Sequence, residues 1–272
     1  MTAIRPEPCE AHVDPLTAVE DRFAVEIAEL DEMSSTAVLT MPVADWTNPF
    51  TGETTLSPLA ILVDAAAGRA NHLGLGAGEW SMSSELTLEL SPGTGDSNDH
   101  VVATARTLGR QGLTAVSLCT LTRGSDTIGY GTVRSYFITA DRLVDEHPSD
   151  SPWTSQSTLA EMMAVRTGSA GNGSRVLMQE PNPAIYNRVG AVHGGVAASG
   201  LELAASAVIN TDGKHMATAS LRVNFLRPFI GSDQSRYVAT PLRTGRTSAV
   251  ADAHAIGEDG KVAVVARVTA YR

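Results

Sequence analysis

GAVHGGVAASGLELAASAV (Gly190–Val208) decides the fold, because a second stretch, GETTLSPLAILVDAAAGRA (Gly52–Ala70), is built to the same plan. Both open on Gly, carry an acid twelve positions on (Glu202 and Asp64) and run into small residues. Moving outward, LTLELSP (Leu86–Pro92) matches RVNFLRP (Arg222–Pro228), and LTAVSLCTL (Leu113–Leu121) matches TSAVADAHA (Thr247–Ala255). The offsets run 138, 136 and 134, so order and spacing agree over about 100 residues. Self-similarity in a fixed order is the mark of an internal duplication.

Each half reads the same way. An opening strand (Thr36–Met41; Arg175–Gln179) leads through a turn-rich stretch to one helix. Ser57 before Pro58 predicts a helix start, with an N-cap hydroxyl and Pro at the first helical position, and the helix should end near Gly74. Its counterpart should start at Gly194–Gly195 and stop before Asp212-Gly213. Hydrophobic and β-branched alternation predicts strands near 82–90, 100–108, 113–122 and 128–138, then 216–227, 235–242, 247–256 and 261–271. The polar, acidic, Pro-containing segment 141–158 reads as a linker between units 20–140 and 159–272. One helix with a run of strands predicts an α+β unit, an antiparallel sheet wrapped around a single helix. One such half leaves a helix face and sheet edges unburied, so the two halves should pack as a pseudo-dimer.

Composition removes several function classes. The chain has 272 residues with 20 Lys plus Arg against 30 Asp plus Glu, a net charge of -10, which argues against a duplex nucleic-acid partner. The N-terminus, MTAIRPEPCEAHVD, lacks the apolar core of a signal peptide. The strongest apolar run, Leu59–Val63, stops at Asp64, far short of the ~20 residues of a membrane span, so a cytoplasmic protein without a membrane partner is expected. Cys9 and Cys119 are too few for a disulfide scaffold and form no C-x-x-C pair, so both read as reduced thiols. There is no G-x-S-x-G, no H-E-x-x-H, and Gly74-Leu-Gly-Ala-Gly78 follows a helix, the wrong place for a dinucleotide loop. Neither a metal nor a cofactor is expected.

Asn187, Gly190 and His193-Gly194-Gly195, followed by Glu202, resemble the signature of hotdog-fold acyl-CoA thioesterases of the phenylacetate-pathway (PaaI-like) type. LVDAAAGRA in the first half resembles the same helix, with Asp64 at the acid position. The resemblance covers both repeats and implies two tandem hotdog domains. It also implies hydrolysis of an acyl-CoA to free acid and CoA, without a cofactor. In that family a Ser or Thr on the strand after the helix often assists the acid. Eighteen to twenty residues beyond Asp64 lie Met82, Ser83 and Ser84, of which Ser83 is the candidate.

Thioester hydrolysis needs donors for a developing oxyanion and a carboxylate to activate water or attack directly. A glycine pair at a helix start provides close access and first-turn N–H groups that lack intrahelical partners. From Gly194 to Glu202 is eight residues, about 12 Å along a helix, too far for one helix to supply both groups. If the two helices pack antiparallel, each start meets the other's acid. The first composite site then joins Asn187, His193, Gly194 and Gly195 to Asp64. The second joins Thr55-Leu56-Ser57-Pro58 to Glu202 and looks degraded, since Thr55 replaces His, Leu56 and Ser57 replace the glycines, and Pro58 has no N–H. In the first site Gly194 would bind the oxyanion, Asp64 would be base or nucleophile, Asn187 would hold carbonyl or water, and His193 would orient the loop or add a donor.

Phosphates of CoA call for guanidinium groups at the pocket mouth, with Arg222, Arg227, Arg243 and Arg246 the candidates in the second half and Arg106, Arg110 and Arg123 in the first. Exposed sheet edges would favour a homo-oligomer of pseudo-dimers. Blander readings stand beside these: glycines serving only close packing, and Asp64 as a structural anchor. Two rivals use the same fold. One is a non-catalytic acyl-CoA-binding sensor. The other is an enoyl-CoA hydratase, whose Asp and His about five apart have no counterpart around Asp64 or His193.

Overall fold

Two helices, each buried along most of its length, organise the computed structural model of the chain, which describes residues 17–43, 45–76, 78–91, 100–139, 143–144, 154, 157–169, 175–211 and 215–272. The first half runs α1 (Ala18–Arg22), β1 (Glu26–Asp31), β2 (Thr36–Pro42), α2 (Leu59–His72), β3 (Glu79–Leu90), β4 (His100–Gln111), β5 (Thr114–Arg123) and β6 (Asp126–Thr139). The second repeats it as α3 (Leu159–Met162), β7 (Val165–Ser169), β8 (Arg175–Gln179), α4 (Gly194–Ile209), β9 (Ala217–Phe225), β10 (Arg236–Thr244), β11 (Ser248–Ile256) and β12 (Val262–Tyr271). These strands form one antiparallel sheet in the order β1-β2-β4-β5-β6-β3-β9-β12-β11-β10-β8-β7. Counted inward from either edge, the order is the same, so the duplication is written in the topology. The halves join where β3 pairs β9, from Glu85↔Asn224 to Glu89↔Ser220.

Alternation along the strands places the core. In β11, Ala249, Ala251, Ala253 and Ala255 all face inward, and in β2 Ala37, Leu39 and Met41 do so. Helix α2 is apolar on nearly every side, as a helix enclosed by its own sheet and a neighbouring helix must be. The alanines let α4 lie close to its sheet. Gly200 takes this furthest, for a Cβ there would sit 2.5 Å from the Tyr237 ring.

Helices α2 and α4 meet antiparallel. Gly195 of α4 sits on Ile61, Ser199 Oγ donates to the Ser57 carbonyl at 2.7 Å, and Thr55 Oγ1 donates to Glu202 at 3.3 Å. Partners descend in number along α2 as they ascend along α4. No helix among the described residues is long and apolar enough to cross a membrane.

Three sequence expectations need correction. Ser57 does not cap α2: its hydroxyl is buried without a hydrogen bond, and the helix is entered through a turn in which the Ala60 N–H donates to the Ser57 carbonyl at 3.0 Å. The proline match that sets Leu86 against Arg222 is one residue out. Leu86 pairs Val133 as Leu221 pairs Val268, an offset of 135 rather than 136. A slip of one would turn the buried Leu221 and Val223 outward. Helices α1 and α3 and strands β1 and β7 were not anticipated. Cys119 is buried on β5, with its thiol pushed up to about 12 by burial, while Cys9 and most of the expected linker 141–158 lie outside the described residues.

A Cβ at Gly195 would fall 2.4 Å from the Ile61 Cα and 2.9 Å from the Ala60 carbonyl, both backbone atoms that cannot swing aside. Gly195→Ala is therefore expected to cost about 1–3 kcal/mol by overpacking. Gly68→Ala, at a helical position with nothing within 4 Å of the new methyl, should be neutral or slightly stabilising. Thermal unfolding of the two variants beside wild type checks the contrast.

Candidate functional site

Asp64 lies in the middle of α2 among Val63, Ala65 and Ile61, and is only 6% exposed. A carboxylate so placed is costly unless partnered. Its partners come from two directions. Ser83 Oγ donates to Oδ1 at 2.5 Å, and the Gly195 N–H, from the other half of the chain, donates to Oδ2 at 2.8 Å. The register of β3 against β6 shifts between Ser83 and Glu85, and such irregularities re-aim side chains. Ser84, the alternative to Ser83 by spacing, instead donates to the Arg134 carbonyl at 3.1 Å.

The start of α4 completes the cluster. His193 is the N-cap, and its Nδ1 accepts from the Gly195 N–H at 3.2 Å and lies 3.4 Å from Asp64 Oδ2. An imidazole accepting at Nδ1 carries its proton on Nε2. The Gly194 N–H makes no hydrogen bond among the described residues, and a Cβ on Gly194 would fall 2.7 Å from Asp64 Oδ2. Asn187 Oδ1 accepts from the Val189 and Ala191 N–H groups, both at 3.1 Å, so its carbonyl holds the loop in shape and only its amide N–H groups remain to be offered. Asp64, Ser83, Asn187, His193 and Gly194 together line a cavity of about 470 Å³. Gly195 does not line it: it packs against the α2 backbone at Ile61, and its N–H is spent on Asp64.

The pseudo-symmetric counterpart lies outside this cavity. Glu202 accepts from Thr218 Oγ1 at 2.5 Å and Thr55 Oγ1 at 3.3 Å, and none of the three lines the cavity. Thr218 stands where Ser83 stands in the first half. The Ser57 N–H, equivalent to that of Gly195, donates to Thr55 Oγ1 at 3.1 Å and leaves the acid alone. Asn48 is turned onto α4, donating to the Leu203 carbonyl at 2.9 Å. Burial raises the Glu202 carboxyl from 4.5 to about 7, opposed only in part by the two threonine hydroxyls.

The arginines divide. Arg227 lines the cavity with its guanidinium 3.5 Å from Asp259. Arg222 is on the outer face of β9, paired with Glu89 at 3.1 Å, and Arg246 is exposed in the β10–β11 turn; neither lines the cavity. Beside Arg227, the cationic lining comes from Arg188, next to Asn187, and from Arg69, held by Glu20 of α1. Neither was anticipated. Arg188 stacks 5.0 Å over Trp80, which is more than 100 residues away in sequence, and no local motif signals such a contact.

Residues 189–264 match the family model described as the thioesterase superfamily. No curated protein sequence matches the chain. Among solved structures, the chain is similar to a conserved protein with hot dog fold from Alicyclobacillus acidocaldarius, at 12% identity over 94% of this chain and 98% of that one, TM-score 0.60. It is also similar to an acyl-CoA thioesterase II, TesB2, from Mycobacterium marinum (10% identity, 93% and 97% covered, TM-score 0.61). A third likeness is to an acyl-ACP thioesterase from Bacteroides thetaiotaomicron (13% identity, 88% and 99% covered, TM-score 0.55). The fold is thus a tandem hotdog, an α+β pseudo-dimer in one chain.

Glu202 gives this fold a pH signature. Its proton is held more tightly in the folded chain, at about 7, than at the ordinary 4.5 of the unfolded one. The stabilisation is present in full below about pH 4.5 and is lost as pH rises to about 7. That shift corresponds to roughly 3 kcal/mol. Glu202→Gln, neutral throughout, is expected to melt near wild type at pH 5 and above it at pH 8. Melting curves at the two pH values decide it; an equal shift at both would show that the charged form is tolerated in place.

Proposed function

We propose that the chain is an acyl-CoA thioesterase with one composite active site per chain, formed across the two halves. The observation that carries this reading is the meeting of Asp64, held by Ser83, with the unbonded Gly194 N–H at the start of the other half's helix, on one cavity. The match of the Gly190–Glu202 region to the thioesterase superfamily and the names of the fold's neighbours support it.

The thioester carbonyl oxygen sits on the Gly194 N–H, at the positive end of α4, where charge developing on that oxygen is stabilised without reorganisation. Asp64 takes a proton from a water as that water's oxygen bonds to the carbonyl carbon. Both carboxylate oxygens are already tied, one to Ser83 and one to Gly195, which suits a fixed base better than a nucleophile that must advance on carbon. Collapse of the tetrahedral adduct breaks the C–S bond, and the proton held on Asp64 passes to the departing thiolate. The Asn187 amide N–H groups hold the water or carbonyl, and His193 keeps the helix start in register with the acid.

Thiol release across short, medium, long and aryl acyl-CoAs tests this. Asp64→Asn is expected to lower kcat by about 1,000-fold, within the range for loss of a general base. Ser83→Ala should lower it roughly tenfold or more, as loss of a hydrogen bond to a charged group does. Glu202→Gln should stay near wild type. Turnover lost with Glu202 and kept without Asp64 would reverse the pairing of halves. Tight acyl-CoA binding with no turnover on any thioester would assign the chain to the sensor class.

A further inference from the structure

We infer that Arg188 is an anion-binding residue of the cavity, receiving a phosphate or carboxylate group of the substrate; this rests on the thioesterase reading for what the substrate is. Three observations carry it. The guanidinium lines the same cavity as Asp64 and Gly194. Its Cζ sits over the Trp80 ring, 5.0 Å from the ring centre and within cation–π range, which anchors the group against the indole. Its Nε is buried and makes no hydrogen bond, and Arg188 forms no ion pair among the described residues.

The other cations lining this cavity are committed. Arg69 is bonded twice by Glu20, at 2.5 and 2.9 Å, and Arg227 faces Asp259 at 3.5 Å. Arg188 is the lining guanidinium that the fold has positioned and left unmatched among the described residues. Its surroundings are ordered to keep it there. The Arg188 carbonyl accepts from the Val144 N–H at 2.8 Å, Asn187 pins the same loop through two backbone N–H groups, and His72 packs edge-on against Trp80 at 4.8 Å. A fork of N–H donors held over an aromatic ring, with its Nε buried, fits the planar or tetrahedral oxygens of a carboxylate or phosphate.

The distance to the reacting group is set by the elements. Trp80 precedes Ser83 by three residues along β3, about 10 Å. His72 follows Asp64 by eight residues along α2, about 12 Å. The anion would therefore sit roughly 10 Å from the scissile bond. A terminal carboxylate on a medium-length acyl group meets that distance directly, and a CoA phosphate meets it with a folded pantetheine arm.

The test is equilibrium binding by calorimetry of two unreactive probes, coenzyme A and the dicarboxylate adipate, to wild type, Arg188→Met and Arg188→Lys. Methionine keeps an apolar stem against Trp80 without the charge, and lysine keeps the charge without the fork. Arg188→Met is expected to weaken one probe at least tenfold, with Arg188→Lys recovering part of the loss and both variants melting within a few degrees of wild type. Loss of coenzyme A binding identifies the anion as a phosphate of the CoA arm; loss of adipate binding identifies it as a carboxylate on the acyl group. If Arg188→Met changes both affinities less than twofold, or wild type binds neither probe, the inference is overturned. Turnover is scored separately, so Arg188-dependent binding without thioester hydrolysis would sink the enzymatic reading and leave this one standing, and the reverse result would do the opposite.

Discussion

The antiparallel crossing of α2 and α4 is the contact on which the rest of this structure depends. At Gly195 the two helix backbones approach so closely that a single methyl group has no room. That approach is what brings the Gly195 N–H within 2.8 Å of Asp64. A crossing wider by the radius of a side chain would leave the carboxylate buried with only Ser83 for company, an arrangement that costs free energy. Packing and polar satisfaction therefore stand or fall together here. The two glycines divide the work: Gly195 is the packing glycine, and Gly194 is the one that keeps the space in front of Asp64 open to the cavity.

The same crossing explains why an acid on one helix is matched with a helix start on the other. Eight residues of helix separate Gly194 from Glu202, and the antiparallel arrangement exchanges partners so that each acid lies against a foreign N-terminus. The exchange makes each half incomplete alone. It also gives the cavity contributions from both halves: Arg69, His72 and Trp80 come from α2 and β3, and Phe225, Leu226, Arg227, Pro228 and Phe229 from the segment that ends β9 and follows it.

Much of this was legible in the sequence, and the failures have physical causes. The central helices, their acids and the long strands were readable because they repeat in order and because their apolar spacing reflects burial on a fixed side. Ser83 was reachable because strand and helix lengths fix which residues return to the acid. Elements α1 and α3 were missed although a signal existed: Thr17-x-x-Glu20 and Thr158-x-x-Glu161 are both capping boxes, and each is followed by a left-handed alanine, Ala24 and Ala164. Helices of four or five residues show no periodicity to confirm such a box. Strand β1, EIAELD, is an edge strand without clean alternation, and its composition is that of a helix. The proline match misled by one residue because a turn residue marks where a strand ends and carries no information on which face its side chains take. Arg188 was out of reach because its partner, Trp80, is brought to it only by the docking of the two halves.

The asymmetry between the Asp64 and Glu202 clusters follows from fusing two copies into one chain. In a dimer of identical single units, any substitution at the helix start or the acid appears at both junctions, and losing one site means losing both. A tandem chain lifts that constraint, since each position of the repeat varies alone. In the second half the His-Gly-Gly start and its open cavity are kept. In the first half the equivalent turn is Thr55-Leu56-Ser57-Pro58, the Ser57 N–H bonds to Thr55, and no backbone donor among the described residues reaches the acid. Glutamate in place of aspartate carries the carboxyl one methylene further from its helix, to two threonine hydroxyls, in a pocket of protein that favours the protonated form. A carboxyl that accepts from two hydroxyls is a satisfied core group. The geometry that presents a carboxylate to a cavity at one junction is, at the other, part of the packing.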